Sequence, residues 1–144
     1  MTKQINVAIA DDHDMVRQGL ESVISSFPQF NILDTFNSGV KMLERLKVIK
    51  PDVVLLDIIM PDMNGIEVAK KIKKNFPEVR ILMLSMEVSS EYIKDAFKNE
   101  IDGYIPKNAD ISVLIEAITT LASGERYYDQ KVKDYIFKYF VNDE

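Results

Sequence analysis

A chain of 144 residues, 47% of them apolar, is long enough to bury the core of one ordinary domain without covalent staples. It has no cysteine, which excludes a disulfide framework, a thiolate metal site and a thiol nucleophile, and fits a reducing cytoplasmic setting. The 23 acidic residues against 18 basic ones leave a net charge of −5, so direct nucleic-acid binding by this chain is not expected; no apolar signal-like start or membrane-length apolar run points to a membrane.

The first element is the run Ile5 to Ala10, apolar except for Asn6, which reads as a strand buried on both faces. After Asp11 and Asp12, the residues Val16, Leu20, Val23, Ile24 and Phe27 recur at helical spacing. Phe30 to Phe36 is a weaker strand, and Ser38 is placed to cap a helix carrying Met42, Leu43 and Leu46. Val53 to Leu56 predicts a third strand, ending at Asp57. Ile66, Ala69, Ile72 and Phe76 predict the next helix, whose Lys70, Lys71, Lys73 and Lys74 read as its solvated face. Ile81 to Leu84 and the pair Tyr104-Ile105 give two further strands. Strand and helix are read as a unit repeated five times, the fourth helix lying between the last two strands and the fifth carrying Ile111, Leu114, Ile115, Ile118 and Leu121, with Gly124 as its C-terminal stop. Beyond it, Val132, Tyr135, Ile136, Tyr139 and Phe140 predict a sixth helix, which reads more readily as packing on its own domain than as a dimer face.

Strands alternating with helices require crossovers. Right-handed crossovers with helices on both faces give an α/β domain with a doubly wound, five-stranded parallel sheet of flavodoxin-like order 2-1-3-4-5. The domain is read as residues 1–124. Residues 125–144 form an additional C-terminal amphipathic helix or the start of a linker. In that order the first and third strands are neighbours, and ligands bind beyond their carboxyl ends.

Asp11, Asp12 and Asp57 all fall at that point. Three unneutralised carboxylates raise one another's pKa, so such a cluster calls for a cation, and a hard oxygen donor set indicates Mg²⁺. Ser85 closes the fourth strand with a hydroxyl, and Lys107 follows the fifth with an ammonium. Three carboxylates against Mg²⁺ and one ammonium sum to zero charge. Such a site suits phosphoryl transfer, in which positioning and electrostatics dominate, and the carboxylate held between metal and lysine is the natural acceptor. Taken singly, each residue has a plainer reading: an Asp after a strand as a turn former, Lys107 as a solvated loop residue, Tyr104 as a half-buried aromatic with its hydroxyl at the surface. Their coincidence at four strand ends favours the chemical reading.

Four segments carry a family resemblance: Val7-Ala8-Ile9-Ala10-Asp11-Asp12-His13, Asp57-Ile58-Ile59-Met60-Pro61-Asp62-Met63-Asn64-Gly65, Leu82-Met83-Leu84-Ser85, and Gly103-Tyr104-Ile105-Pro106-Lys107. From about Ile5 to Leu121 the chain resembles the receiver domains of two-component response regulators. The resemblance implies phosphorylation of Asp57 by a sensor histidine kinase, with Asp12, Asp57 and the Ile59 carbonyl as Mg²⁺ ligands and Asp11 acting mostly through water. It also implies phosphoryl contacts from Ser85 and Lys107, and a switch pair in Ser85 and Tyr104. Output would pass through the fourth helix, fifth strand and fifth helix, and the resemblance allows for a homodimer on phosphorylation. The run Asp11 to Leu20 looks like the NarL/LuxR-like branch, whose members usually carry a DNA-binding helix-turn-helix domain. The chain is therefore read as the receiver of a longer cytoplasmic transcription regulator, with a single-domain regulator as the alternative.

His13 reads as a surface residue rather than a metal ligand. The Lys107-Asn108 peptide is expected to be cis, and Ile59 and Glu87 to tune access of the water that removes the phosphoryl group, with an apolar Ile59 slowing its loss. The chain is read as a phosphoacceptor rather than a conventional enzyme. The competing readings are a Mg²⁺-dependent phosphatase, for which neither a general acid nor a cap is evident, and an interaction module with a vestigial site.

Overall fold

The computed structural model describes residues 4–86 and 89–138. In chain order the elements are β1 (Ile5–Ala10), α1 (Asp14–Ser25), β2 (Phe30–Phe36), α2 (Gly39–Arg45), β3 (Val53–Asp57), α3 (Gly65–Asn75), β4 (Arg80–Ser85), α4 (Ser90–Lys98), β5 (Gly103–Pro106), α5 (Ile111–Ala122), β6 (Tyr127–Tyr128) and α6 (Gln130–Ile136). The sheet runs β2-β1-β3-β4-β5-β6, and every neighbouring pair is parallel. The predicted order 2-1-3-4-5 is thus observed, extended by a short sixth strand that the sequence pattern does not announce.

The continuous apolar runs follow from burial on both sheet faces. Val7 and Ile9 point into a core closed by α1 and α5, through Ile24, Leu114, Ala117, Ile118 and Leu121. Ala8 and Ala10 point into the opposite core, closed by α2, α3, α4 and α6 through Met42, Ile66, Ile72, Ile93 and Val132. Alternation therefore exchanges one apolar environment for another. Ser38 caps α2 as expected, its hydroxyl accepting from Lys41 N, and Gly124 ends α5 with a φ of +95°, a conformation that favours glycine.

The sixth helix is present, with Val132 fully buried and Tyr135 and Ile136 packed against the core; Tyr139 and Phe140 lie outside the described residues. Strand β6 pairs with β5 through Gly103–Tyr127 and Tyr104–Tyr128, so β5 is not the sheet edge. Among the described residues no helix is long and apolar enough to cross a membrane. The expected cis peptide is not found: the Lys107–Asn108 bond is trans, as every described peptide is. Without a proline at position 108 a cis bond costs about 3 kcal/mol, and this packing does not impose it.

Candidate functional site

Parallel pairing fixes the positions of the chemical groups. β1 and β3 are hydrogen-bonded neighbours with Ala10 opposite Leu56, so Asp11 and Asp57 emerge together from the sheet's carboxyl end. Ser85 pairs with Pro106, and Lys107 N donates to the Ser85 carbonyl at 2.8 Å, which carries Lys107 to the same end.

The Lys107 ammonium lies 2.8 Å from Asp11 Oδ2 and 3.0 Å from Asp57 Oδ2. Its side chain is only 4% exposed, so it is a buried counter-ion rather than a solvated loop residue. Its stem borders an apolar groove between α1 and α5 lined by Val16, Leu20 and Leu114. Asp57 Oδ1 also accepts from Ile59 N at 3.3 Å. Burial pushes the Asp57 carboxyl above the ordinary carboxylate value, and the charge of Asp11 adds to that, while Lys107 pulls it back.

The acidic residues differ in exposure. Asp11 and Asp57 are 1% and 3% exposed, whereas the Asp12 side chain is 27% exposed. Oδ2 of Asp11, Oδ1 of Asp12 and Oδ2 of Asp57 are buried without an aligned hydrogen bond. Asp11 Oδ2 and Asp57 Oδ2 share the Lys107 ammonium, and buried carboxylates neutralised by so little charge are costly unless a further cation receives their lone pairs. Three carboxylates against one ammonium leave two negative charges, which suits a divalent ion. The donor set thus fits Mg²⁺, with Asp12 and Asp57 as the residues that would hold it.

The loop after β3 is held tightly around this centre. Gly65 N donates to the Ile58 carbonyl at 2.7 Å, and a Cβ on Gly65 would stand 2.2 Å from the Asp57 carbonyl oxygen, so only glycine lets α3 begin so close to β3. Asn64 caps α3, accepting from Ile66 N at 2.7 Å. Asp62 accepts from the Ser38 hydroxyl and from Val40 N, tying the loop to the start of α2. Ile59 sits at the mouth, 57% exposed; Glu87 lies outside the described residues.

Tyr104 departs from its plainer reading. It is 0% exposed with its hydroxyl buried, because α4 and α6 pack over its face of the sheet. Burial pushes its phenol up to about 12, with the nearby Ser85 side chain acting in the opposite direction. The Ser85 and Tyr104 side chains are thus neighbours.

His13 lies at the surface as expected but also overhangs the pocket, and Arg17 was passed over by sequence reasoning. His13 is 60% exposed, yet Nδ1 lies 3.3 Å from Asp11 Oδ1, 3.2 Å from Asp12 Oδ1 and 3.9 Å from Asp57 Oδ2. The turn after β1 causes this, since His13 N donates to Asp11 Oδ1 at 2.8 Å and folds the residue back over the pocket. Arg17 reaches the Asp11 carbonyl at 2.7 Å and Asp14 Oδ1 at 2.6 Å, bracing the same turn. Its spacing of three from Asp14 on a helix was the available signal.

With this geometry established, the likeness to known proteins is specific. Residues 7–119 match the model of the response regulator receiver domain. A transcriptional regulatory protein, DegU of Brevibacillus brevis, is 32% identical over 135 residues, covering 94% of this chain and 57% of its own length. The chain spans 57–64% of the length of the first curated relatives it matches. A LuxR-family two-component response regulator from Aurantimonas sp. SI85-9A1 superposes with a TM-score of 0.90 at 25% identity, covering 96% of this chain and 99% of that one. The isolated receiver of RcsB from Salmonella enterica serovar Typhimurium, in the presence of phosphomimetic BeF₃⁻, gives a TM-score of 0.85 at 25% identity, covering 92% and 99%. The chain belongs to the response regulator receiver domain family, among regulators of the NarL/LuxR type.

Proposed function

We propose that Asp57 is the phosphoryl acceptor of a two-component switch, and that its modification controls transcription through a DNA-binding domain in a longer protein. The observation that carries this reading is the Asp57 carboxylate, 3% exposed, held by Lys107 at 3.0 Å and opposed by two further carboxylates at one strand end. When bound, Mg²⁺ would supply positive charge to the phosphoryl oxygens and to the carboxylates beside them. Asp12 and Asp57, with the Ile59 carbonyl, would hold it, and Asp11 would act mostly through water. Lys107 is placed to exchange its contact with Asp57 for one with a phosphoryl oxygen, and Ser85 to donate to another. The phosphoryl group leaves a phosphohistidine nitrogen or a small acyl phosphate and bonds to an Asp57 oxygen, forming an acyl phosphate.

Tyr104 is already inward in this conformation. Phosphorylation would therefore raise the population of this arrangement rather than create it, with Ser85 and Tyr104 as the switch pair. Residues 1–124 would be the receiver and 125–144 the segment leading toward an effector domain; the greater length of the curated relatives supports this. A sensor histidine kinase is the implied donor, with this chain acting in the cytoplasm, and homodimerisation on phosphorylation is part of the same reading.

Intact-mass spectrometry after incubation with acetyl phosphate and Mg²⁺ tests the proposal. One added phosphoryl group, lost with EDTA and in Asp57→Asn, is the expected result; an unmodified chain, or modification that survives Asp57→Asn, would overturn it. The exposed apolar Ile59 at the mouth should hinder the hydrolytic water. Ile59→Asn is expected to shorten the lifetime of the phosphorylated form several-fold, and an unchanged rate would refute that role.

A further inference from the structure

The pocket contains one donor that the Mg²⁺ reading leaves unused. His13 is the chain's single histidine, and Nδ1 and one oxygen from each of Asp11, Asp12 and Asp57 all lie within 4.8 Å of one another. Adjacent donors around an ion bound at 2.0–2.2 Å stand about 3.0–3.4 Å apart. The separation of Nδ1 from Asp12 Oδ1, 3.2 Å, matches that spacing, and Asp57 Oδ2, at 3.9 Å, lies somewhat beyond it, within reach of a small turn of the ring. Backbone hydrogen bonds hold the residue in place. His13 N donates to Asp11 Oδ1, and the His13 carbonyl accepts from Arg17 N at 2.9 Å as the cap of α1. Of the oxygens facing the ring, Asp12 Oδ1 is buried with no aligned hydrogen bond, while Asp57 Oδ2 lies 3.0 Å from the Lys107 ammonium.

We propose that His13 is a nitrogen ligand that lets this pocket bind a divalent transition ion, of the Mn²⁺ or Zn²⁺ class, together with Asp12 and Asp57. The inference rests on the reading of the pocket as a metal site and adds to it a choice of metal. Mg²⁺ is a hard ion that keeps its waters and gains little from imidazole, whereas affinity of a mixed nitrogen and oxygen site rises from Mn²⁺ through the later ions. A receiver site made of oxygens alone would discriminate less. His13 thus makes the pocket sensitive to which divalent ion is available, and the ring's outer face, which remains exposed, leaves it free to turn onto the ion.

The alternative role for the ring is that of a protonated counter-ion to the three carboxylates, and the two roles are separable by spectroscopy. The test is pulsed electron paramagnetic resonance of the untagged chain loaded with Mn²⁺ alone, in the wild type and in His13→Asn, which keeps a good helix cap at that position. Coupling from a directly bound ¹⁴N in the wild type, absent in H13N, is expected. In parallel, chelator competition should show Zn²⁺ affinity falling roughly 10- to 100-fold in H13N while Mg²⁺ affinity changes less than about threefold. Mn²⁺ bound without ¹⁴N coupling would overturn the role of His13 and leave the carboxylate metal site standing. Failure of the wild type to bind Mn²⁺ or Mg²⁺ at all would remove the metal reading itself.

Discussion

At the carboxyl ends of β1 and β3, Asp11 and Asp57 are 1% and 3% exposed and share the single ammonium of Lys107. At the outer edge of the same sheet, Val132 is 0% exposed and buried polar groups are matched: the Asp102 carboxylate faces Arg80 at 3.2 Å and accepts from Ile81 N at 3.0 Å, its carbonyl accepts from Tyr127 N at 3.0 Å, the Tyr104 carbonyl from Asp129 N at 3.1 Å, and the Ile101 carbonyl from the Tyr128 hydroxyl at 2.5 Å. One region buries like charges; the other buries hydrocarbon and satisfied hydrogen bonds. The first weighs against folding until a cation or a phosphoryl group rearranges its charges, and the second stabilises whatever state β5 and α4 are in. Tyr104 connects them, with its side chain near Ser85 and its backbone bonded to the β6 segment.

Variants and pH can set the two regions against each other. The largest effect is expected at Tyr104 in alkali. Its folded pKa is raised from 10.0 to about 12, so the unfolded chain releases this proton first. The stability linked to Tyr104 is fully present below pH 10 and is lost as pH rises through about 12, amounting to about 3 kcal/mol. Urea unfolding of the wild type and Tyr104→Phe on both sides of that window should show the wild type losing more, and parallel losses would place the phenol in a wetter site. Next comes Val132→Ala, which removes two methyl groups from a filled position and should cost about 2 kcal/mol. An effect near zero in denaturant unfolding would mean that α6 contributes no packing energy, and the contrast between the two regions would fail.

How much was legible depended on whether the cause was local. β1, β3 and β4 announce themselves because both faces are buried, and Asp11, Asp12, Asp57 and Lys107 converge because parallel order alone brings those strand ends together. β2, largely half-buried along its length, gave a weaker pattern. β6 is two residues long, too short for any period, and exists because β5 offers it backbone partners. The pocket position of His13 depends on a hydrogen bond from its own amide to Asp11, which composition cannot reveal. The burial of Tyr104 comes from α4 and α6 packing over its face of the sheet, long-range contacts that the short Tyr104-Ile105 run does not reveal. The trans Lys107–Asn108 bond departs from what the family resemblance implies because the local chemistry, a non-proline residue at position 108, favours trans.

The carboxylate pocket opposes folding until a divalent cation neutralises it. Burial and Asp11 raise the folded pKa of Asp57, so its contribution to stability is present below the unfolded value of 3.8 and lost as pH rises through the folded one. The ionised group therefore weighs against the fold, and Asp11 retains Lys107 at 2.8 Å if Asp57 is neutralised. The direct measurement is thermal unfolding of the wild type and Asp57→Asn at pH 7, with and without Mg²⁺. Without Mg²⁺ the variant should be the more stable by about 1 kcal/mol. Mg²⁺ at about 100 times its Kd should stabilise the wild type by about 2.7 kcal/mol and the variant by clearly less, closing or reversing the gap. A variant that is less stable without Mg²⁺ and gains as much from it as the wild type would contradict the account.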